Sequence, residues 1–487
     1  MKYRKFLPPV LLAVGLMAVY LGTMAPGLTW ANDGVDGGAL ISAAATGGVA
    51  HPSGYPTYLL LASLFQALPV GTLAFRTHLL SGCMAALAAL MVYFTVTELP
   101  SSPAHGNRVA GLAAALLFGL SPLLWSQAVI SEVYTLHAFF CALLLWFALQ
   151  PAGQDGNQWL DLGAGVVGGL ALGNHLTSVF LLPPLFLGRA LSSQKKWGWP
   201  SFGRTLAGLA TGLLVYLALP LRALGNPAVN WGNPQTWQQF TWLVSGELYQ
   251  GRLADLTLAA AAARLPDLLE ILLRQLELPG LLLALIGLIY AFKPSKLHLV
   301  TLWNFAVFVT FALLYASFDS YMYLIPALLS LAVWAGIGLN ALMNPALKYI
   351  RVVKPVIMVV MCIFLAGMLM VRWPQVDARP DQRAEAFAAQ IVQEVPANAL
   401  VFAAEDWDVF TVWYLHYALG QRPDMVVMAS DLLHFDWYDQ TLRSTYPQVS
   451  WPDDLFWPQT VIAANPARPV CTISWTQAVQ INCSPAP

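Results

Sequence analysis

Long apolar stretches separated by short polar breaks make up most of the chain. An apolar run of about 20 residues is long enough to cross the hydrocarbon core of a bilayer as a helix. Eleven such runs occur between residues 7 and 373, each bounded by polar residues or by proline and glycine. Their approximate limits are 7–26, 78–98, 108–124, 134–150, 159–175, 176–192, 204–221, 278–292, 299–318, 322–342 and 355–373. We therefore predict an α-helical polytopic membrane protein with about 11 transmembrane helices.

Two connections in this region are too long to be simple loops. Segment 27–77 contains a small-residue stretch, 38–49, and an apolar stretch, 55–69, which is too short to cross a bilayer. We expect both stretches to be helices that lie at the membrane interface. Segment 222–277 is polar and rich in tryptophan, and then becomes amphipathic.

The tail, 374–487, follows the last apolar run and is long enough to form a small domain. Helix and strand patterns alternate along it, which indicates an α/β domain. The predicted elements are a helix at 381–394 and strands at 399–404, 425–430, 460–464 and 469–475. We therefore divide the chain into a transmembrane domain, 1–373, and a small α/β domain, 374–487.

The composition agrees with a membrane protein. Hydrophobic residues make up 58% of the 487 residues, charged residues only 10%, and the mean hydropathy is +0.61. A soluble domain usually has about 25% charged residues. This composition excludes a single soluble globular protein, a disordered protein and a nucleic-acid-binding protein.

The distribution of basic residues predicts the orientation, although the net charge of −1 is uninformative. If the spans alternate sides from a cytoplasmic N-terminus, all lysines fall in cytoplasmic segments, as the positive-inside rule requires. These are Lys2, Lys5, Lys195, Lys196, Lys293, Lys296, Lys348 and Lys354, joined by Arg4, Arg108, Arg189, Arg204 and Arg351. We expect the first span to be an uncleaved anchor in a multi-pass protein of the plasma membrane. The tail is then extracytoplasmic, where Cys471 and Cys483 either pair or remain two free thiols.

Polar and ionisable residues gather at the predicted outer ends of the spans. Such residues are expensive near a bilayer and indicate a functional site. They include Asp33, Asp36, His51, Tyr55, Arg76, His78, Glu132, Tyr134, His137, His175, Arg222, Asn230, Trp231 and Asp319. Carboxylates, histidines and arginines at one membrane face are typical of an acid/base pair beside an anion site.

Structural roles are open for several of these residues. A lone histidine such as His137 can be an interfacial hydrogen-bonding residue, and Trp231 can belong to an aromatic belt. Arg252 can lie on a solvated helix face, and Asp36 can be the N-cap of the helix that follows it. The Asp406-Trp-Asp408 sequence resembles a nucleotide-sugar motif, but we give it little weight because nucleotide sugars are absent outside the cell.

Motifs for nucleotide or zinc chemistry are absent from the sequence. Charged residues are also nearly absent from the middles of the spans, which argues against an ion-coupled transporter. Two classes remain as alternatives to an enzyme: a lipid-linked-glycan flippase, and a non-catalytic membrane binding protein. The polar residues stop at one face, whereas a flippase needs them through the spans.

Several motifs resemble the protein O-mannosyltransferase-like membrane proteins, a large bacterial group whose animal relative O-mannosylates plexin-type receptor domains. The most specific motif is His-Pro-x-Gly-Tyr-Pro, which begins here at His51. The resemblance rests on Pro26-Gly-Leu-Thr-Trp30, Asp33, Asp36-Gly-Gly, His51-Pro-Ser-Gly-Tyr-Pro56, Ser131-Glu-Val-Tyr-Thr-Leu-His137, Gly169-Leu-Ala-Leu-Gly-Asn-His175, Leu219-Pro-Leu-Arg222, Asn230-Trp231-Gly232, Asp319, Glu405-Asp406 and Gln421-Arg-Pro-Asp424.

The resemblance implies a GT-C glycosyltransferase, a multi-span enzyme whose first outer loop carries the catalytic aspartate. Such enzymes use a polyprenyl-phosphate sugar as donor, which suggests mannose here, and a protein or glycan hydroxyl as acceptor. Asp36 aligns with the family aspartate, but Ala39 stands where a second acid is usual, which leaves Asp33 to assist.

From the residue chemistry we predict Asp36 and Asp33 as catalytic residues, with inversion at the anomeric carbon. Residues for the donor phosphate are Arg222, Arg76, His51 and His175; those for substrate are Tyr55, Glu132, Tyr134, His137, Asn230, Trp231 and Asp319. Nothing in this chemistry requires a cofactor or metal, although Asp and His together are able to hold a divalent ion.

Overall fold

The computed structural model describes residues 6–98, 108–150, 158–191, 199–254, 257–290, 295–343, 350–453 and 458–486. Several lysines that predict the orientation lie outside these residues, namely Lys2, Lys5, Lys195, Lys196, Lys293 and Lys348. The orientation of the chain in the membrane therefore stays a prediction.

Helices dominate the chain as far as residue 376, and each of the eleven predicted spans coincides with helical structure. The helices are α1 (Leu7–Leu21), α2 (Gly37–Ala45), α3 (Pro56–Gln66), α4 (Leu73–Thr97), α5 (Arg108–Gly119), α6 (Pro122–Ala128), α7 (Tyr134–Leu149), α8 (Gln158–Leu172), α9 (Leu182–Leu191), α10 (Trp199–Leu213), α11 (Ala218–Ala223), α12 (Trp237–Val244), α13 (Gly251–Ala254), α14 (Leu258–Tyr290), α15 (Lys296–Leu314), α16 (Ile325–Leu342) and α17 (Ile350–Val376). Short 3-10 helices connect them at Ala31–Asp36, Leu176–Leu181, Leu214–Leu217, Glu247–Tyr249 and Ser320–Leu324.

Among the described residues, six helical segments are long and apolar enough to cross a bilayer alone. They are Leu73–Thr97, Trp199–Ala223, Ala259–Tyr290, Lys296–Leu314, Ser320–Leu342 and Val353–Val376. The pair α5 and α6, bent by 67°, adds a seventh. The other predicted spans coincide with shorter helices: α1, α7, α8 and the segment Leu176–Arg189. The protein is thus a multi-pass helical membrane protein, as predicted, and its number of crossings beyond seven stays a prediction.

Small residues allow close packing within this bundle. Gly165 and Gly169 of α8 face Gly208 and Gly212 of α10, and a Cβ atom at Gly165 would lie 2.0 Å from the carbonyl oxygen of Thr205. This small-xxx-small arrangement is the usual way for membrane helices to bring their backbones together. Helix α16 is buried along its length and forms the centre of the bundle.

The two helices predicted between the first spans are present as α2 and α3. The predicted division between the amphipathic segment and the span at 278 is also present. There α14 is interrupted at Glu277, whose φ of 55° and ψ of 171° are not helical, and Pro279 follows directly.

The tail contains a four-stranded sheet. Its elements are α18 (Arg383–Glu394), β1 (Leu400–Ala403), α19 (Asp406–Trp413), the π-helix Tyr414–Ala418, β2 (Val426–Ala429), the 3-10 helix Ser430–Leu432, α20 (Asp436–Thr445), α21 (Pro458–Ala464), β3 (Val470–Trp475) and β4 (Val479–Ser484). The strand order is β2-β1-β3-β4, with β1 parallel to β2 and β3, and β4 antiparallel to β3. The tail is therefore α/β, as its pattern predicts.

One predicted strand is wrong and one strand is missed. Residues 460–464 are not a strand but part of helix α21, which begins at Pro458, a residue favoured in the first turn of a helix. The fourth strand is instead β4, which is exposed and therefore lacks a clear apolar run. Cys471 of β3 lies opposite Cys483 of β4, and the two form a disulfide. Of the two alternatives for these cysteines, pairing is confirmed.

The tail packs directly on the first outer loop. The carboxylate of Asp381 accepts a hydrogen bond from the backbone nitrogen of Trp30 at 2.8 Å, and the indole of Trp30 donates to Thr411 at 3.2 Å. Helix α19 lies against α2, where a Cβ atom at Gly38 would lie only 2.4 Å from the carbonyl oxygen of Phe410. These contacts fix the start of α19 beside the start of α2.

Candidate functional site

A cavity of about 280 Å³ opens where the outer ends of the bundle meet the tail. We call it the acidic cavity, because six carboxylate side chains line it. Its lining comprises Asp33, Val35, Asp36, His51, Tyr55, Gln127, Glu132, Tyr134, Tyr249, Arg252, Tyr315, Phe318, Asp319, Met322, Tyr323, Glu405, Asp406 and Trp407. Seven of the residues predicted from the sequence are among them: Asp33, Asp36, His51, Tyr55, Glu132, Tyr134 and Asp319.

Asp36 lies at the junction of the 3-10 helix Ala31–Asp36 and α2. Asn32 and Asp33 adopt left-handed conformations, with φ of 55° and 59°, so the chain turns sharply just before Asp36. An oxygen of the Asp36 carboxylate lies 3.5 Å from Nε2 of His51. In the described chain, Asp36 makes no side-chain hydrogen bond to cap α2. The helix-capping alternative for Asp36 therefore has no support in its contacts.

The His-Pro-Ser-Gly-Tyr-Pro motif forms a turn that places two side chains in the cavity wall. The backbone nitrogen of Gly54 donates to the carbonyl oxygen of His51 at 2.7 Å, and Gly54 has a φ of 84°. This turn brings the rings of His51 and Tyr55 to a centroid distance of 5.1 Å. The Nδ1 atom of His51 is buried and has no hydrogen-bond partner among the described residues.

Burial and crowding of like charges raise the pKa of the cavity carboxyls. Burial, together with the charge of Asp319, raises the pKa of Asp36 to about 7, although its side chain is 42% exposed to the cavity interior. Burial and the charge of Asp36 raise the pKa of Asp406 to about 6, and the pKa of Glu132 lies well above its usual range for the same reasons. Burial lowers the pKa of His51 to about 4, so this ring is neutral at physiological pH.

Hydrogen bonds from tyrosines and a serine hold two further carboxylates. The hydroxyl of Tyr134 donates to Asp319 at 2.8 Å, and Ser317 donates to the other oxygen of Asp319. The hydroxyl of Tyr321 donates to Asp33. Both carboxylates are therefore oriented by neutral donors, whereas Asp36 faces a histidine.

His175 and His137 lie outside the lining of the acidic cavity. Nδ1 of His175 lies 2.8 Å from the Thr177 hydroxyl, and its ring centroid is 4.8 Å from that of His137. The same hydroxyl lies 3.1 Å from Nε2 of His137, which is buried. His137 therefore lies behind His175 and is not part of the cavity lining.

Neither predicted phosphate-binding arginine lines the cavity. The guanidinium of Arg222 donates to the carbonyl oxygens of Gly48, at 3.0 Å, and Ala43, at 3.4 Å, near the end of α2. The guanidinium of Arg76 donates to three carbonyl oxygens around the end of α3, including that of Gln66 at 2.9 Å. Both arginines stabilise helix ends in the first outer loop.

Asn230 and Trp231 lie behind the cavity wall. The backbone at Asn230 pairs with Val49 in an isolated bridge, and its side chain donates to Asn233 at 2.9 Å. Trp231 is buried against His51 and Trp437, at ring-centroid distances of 6.1 and 5.5 Å, so it does not belong to an aromatic belt. These residues support the position of His51 from the tail side.

An apolar groove of about 220 Å³ adjoins the acidic cavity. We call it the donor groove. It is lined by Pro52, Ser53, Tyr55, His175, Leu176, Thr177, Val179, Phe180, Ser245, Gly246, Tyr249, Gln250, Phe311, Tyr315 and Tyr323. Tyr55, Tyr249, Tyr315 and Tyr323 line both spaces, so the groove leads directly into the cavity.

Sequence reasoning missed Arg252 and the residues around Asp406. Arg252 lines the cavity, lies 4.8 Å over the ring of Tyr249 and donates to the Ser317 hydroxyl at 3.0 Å. The sequence feature that could have indicated Asp406 is the Glu405-Asp406 pair, which matches a motif of the resembling family. Arg252 belongs to no such motif. Among the described residues, no group of three or more His, Cys, Asp or Glu has metal-binding geometry.

Comparison with known protein families identifies two matching models. The model described as the protein O-mannosyl-transferase TMEM260 N-terminal domain matches residues 36–198, and TMEM260-associated domain 2 matches residues 384–463. The chain is also similar to protein O-mannosyl-transferase TMEM260 of Mus musculus, with 26% identity over 86% of this chain, and to the Dictyostelium discoideum protein of that name, with 22% identity over 92%. The chain spans less than two thirds of these relatives, 63% and 60% of their lengths.

Solved structures with a similar fold are membrane glycosyltransferases. ArnT from Cupriavidus metallidurans bound to undecaprenyl phosphate has a TM-score of 0.62 at 14% identity, covering 95% of this chain and 92% of that chain. The Archaeoglobus fulgidus oligosaccharyltransferase, in complex with Zn and sulfate, has a TM-score of 0.50 at 12% identity, covering 98% and 73%. The fold is thus the GT-C fold, and the chain resembles the protein O-mannosyltransferase-like GT-C membrane proteins in two separate regions, 36–198 and 384–463.

Proposed function

We propose that this chain is a membrane glycosyltransferase that transfers a sugar from a polyprenyl-phosphate donor to a hydroxyl acceptor. The observation that carries the proposal is the position of Asp36, in an acidic cavity that continues into an apolar groove. The acidic cavity suits the transfer reaction, and the apolar groove suits a lipid chain. We further propose that the cavity faces the extracytoplasmic side of the plasma membrane, with the N-terminus in the cytoplasm.

Asp36 is the proposed general base. The acceptor hydroxyl gives its proton to the Asp36 carboxylate while its oxygen bonds to the anomeric carbon. The bond from that carbon to the phosphate oxygen breaks, and the lipid phosphate leaves with the electron pair. One displacement of this kind inverts the anomeric centre. A pKa of about 7 suits Asp36 to this role, because a base works best when its pKa lies near the working pH.

The donor groove is proposed to hold the first part of the polyprenyl chain. Its walls are mainly aromatic and aliphatic, and it ends at the four tyrosines shared with the cavity. The structural neighbour ArnT is bound to undecaprenyl phosphate. His175 lies in the groove wall, which supports the role predicted for it beside the donor.

Arg252 takes the donor-phosphate role in this proposal, in place of Arg222 and Arg76. It is the only lysine or arginine among the described residues that line the cavity, and its neighbour Tyr249 also lines the groove. A guanidinium at this junction can bind a phosphate through two hydrogen bonds. Arg222 and Arg76 instead use their guanidinium groups on backbone carbonyl oxygens.

The name of the curated relatives supports mannose as the sugar and a protein hydroxyl as the acceptor. Ala39, which replaces a family acid, is fully buried in α2 and is not part of the cavity lining. We therefore assign the catalytic carboxylate chemistry to Asp36, with Asp33, which lines the same cavity and accepts a hydrogen bond from Tyr321, in an assisting role.

The test is transfer of labelled mannose from polyprenyl-phosphate mannose into membranes that contain the chain. Asp36→Asn should reduce transfer by about 10²-fold or more, the usual effect of removing a general base. This variant should be no less stable than the parent, since Asp36 makes no capping bond to α2. Asp33→Asn, the matched control, should have a smaller effect on transfer. Near-normal transfer by Asp36→Asn would overturn the assignment.

A further inference from the structure

The acidic cavity has one wall made by the tail, and the proposed reaction leaves this wall without a role. β1 ends at Ala403 and α19 begins at Asp406, so the connection between them reaches the cavity. Glu405, Asp406 and Trp407 all line it. We call these residues the 405–407 segment. They are exposed, whereas Asp408 is buried.

The fold holds the 405–407 segment in place from both sides. The carboxylate of Asp408 accepts a hydrogen bond from the backbone nitrogen of Trp475 at 2.8 Å, which ties α19 to β3. The ring of Trp475 packs against Trp30 at a centroid distance of 5.1 Å. Helix α19 also lies against Gly38, two residues after Asp36. The segment therefore has a fixed position relative to the proposed base.

The 405–407 segment differs from the four shared tyrosines in which space it lines. The tyrosines line both the acidic cavity and the donor groove. Among the described residues, no residue of the tail lines the groove. The 405–407 segment lines the acidic cavity alone, as do Asp33, Gln127 and Phe318. Because the lipid-borne donor is proposed to occupy the groove, the wall made by the tail is left for the acceptor.

Asp406 lies close enough to the proposed base to act on the same acceptor molecule. Its charge acts on both Asp36 and His51, which lie 3.5 Å apart. Nδ1 of His51, in a side chain that is only 9% exposed, has no partner among the described residues. The region between Asp36, His51 and Asp406 thus has unused hydrogen-bonding capacity.

We propose that the 405–407 segment binds the acceptor, and that Asp406 orients the acceptor hydroxyl towards Asp36. The Asp406 carboxylate accepts a hydrogen bond from a donor group beside the reacting hydroxyl, while the indole of Trp407 packs on the acceptor surface. This inference rests on the proposed function and adds the acceptor side of its site. The five neighbouring carboxylates favour a neutral or basic acceptor over an anionic one.

The first experiment separates acceptor binding from donor binding in the full chain. Asp406→Asn should reduce mannose transfer to the membrane acceptor by about tenfold to 100-fold, the effect expected for loss of a hydrogen bond to a charged group. Its affinity for undecaprenyl phosphate should stay at the parent level. A merely structural role would lower transfer and affinity together, and that result would overturn the inference, as would normal transfer.

The second experiment needs no transfer activity. Asp406→Cys and Gln250→Cys are each placed in a chain with Cys83, Cys141 and Cys362 changed to Ser, and are labelled with a water-soluble maleimide. Gln250 lines the donor groove but not the acidic cavity. Undecaprenyl phosphate should protect Gln250→Cys and leave Asp406→Cys reactive. Protection at Asp406→Cys would overturn this inference, whereas absence of protection at Gln250→Cys would count against the proposed donor site.

Discussion

Two carboxylate sites lie near opposite ends of helix α8, and they differ in how their charge is balanced. Asp161, near the start of α8, is fully buried, and its carboxylate accepts hydrogen bonds from Arg189 and, at 2.8 Å, from Arg204. The acidic cavity, near His175 beyond the other end, gathers six carboxylates around a single arginine, Arg252. The paired group stabilises the contact of three helices, whereas the unpaired group keeps carboxyls whose protonation can change during a reaction.

The largest effect should follow from breaking the paired group. Asp161→Asn leaves the buried guanidinium of Arg189 without its counter-charge. Loss of one partner of a buried ion pair lowers the free energy of unfolding by about 3–5 kcal/mol. Thermal unfolding in detergent measures this, with Asp36→Asn as the control that should be no less stable than the parent. If Asp161→Asn were as stable as the parent, the ion pairs of Asp161 would not stabilise the fold, and the contrast with the acidic cavity would be wrong.

The next largest effect concerns the single arginine of the cavity. Arg252→Ala should weaken binding of undecaprenyl phosphate by about 10- to 100-fold, because a hydrogen bond to a charged group contributes about 1.5–3 kcal/mol. Arg252→Lys should restore part of the affinity, since it keeps the charge but loses the planar fork.

Arg222→Ala is the matched control for this arginine. It removes a guanidinium that binds Gly48 and Ala43, so it should lower stability while leaving the affinity of the folded protein unchanged. If only Arg222→Ala lost affinity for undecaprenyl phosphate, the donor-phosphate role would belong to Arg222, as the sequence predicts.

Neutralising a carboxyl of the acidic cavity should raise the free energy of unfolding, whereas neutralising Asp161 lowers it. Burial and neighbouring charges raise the pKa of Glu132 in the folded protein above its unfolded value. Folding then becomes less favourable as the pH rises from the unfolded pKa through the folded one, by at most about 1.4 kcal/mol per pH unit for one group. Glu132→Gln removes this loss, so the variant should be as stable as the parent near pH 4 and more stable at alkaline pH. Thermal unfolding measured as a function of pH tests this. A Glu132→Gln variant that is less stable than the parent at high pH would contradict the prediction.

The smallest effect is a shift in a pH profile. The negative charge of Asp319 helps to raise the pKa of Asp36 to about 7, and the proposed mechanism requires Asp36 to be deprotonated. Asp319→Asn should lower that pKa, so the acidic limb of the transfer profile should move to lower pH. If the acidic limb of the profile did not move, the titration of Asp36 would not be what determines that limb.

Local patterns in the sequence predict the helices of this protein well, because each apolar run carries its own reason to be helical in a membrane. They also place Asp36, His51, Glu132, Tyr134 and Asp319 correctly in one cavity, since spans that alternate direction bring all of these residues to the same side of the bundle.

Contacts that depend on packing between distant segments could not be predicted. Arg252 follows a polar, tryptophan-rich segment and looks like any solvated basic residue until the cavity forms around it. Arg222 belongs to a motif of the resembling family, but its guanidinium donates to the carbonyl oxygen of Gly48, just after α2. The residues next to Arg222 in the sequence do not indicate this contact. Asp406 reaches the cavity only because α19 packs on Gly38, some 370 positions earlier in the chain. Strand β4 forms beside β3 and has too little apolar character to be recognised alone.

The anchoring of α19 by Trp475 also sets the stage of synthesis at which the acidic cavity can be completed. A nascent chain that has left the ribosome only as far as residue 373 already contains Asp36, His51, Glu132 and Asp319. It lacks Asp406 and the backbone nitrogen of Trp475 that secures Asp408. The cavity therefore acquires its last wall only when translation has passed β3, and in the proposed mechanism a product truncated before that strand would have no acceptor-binding wall.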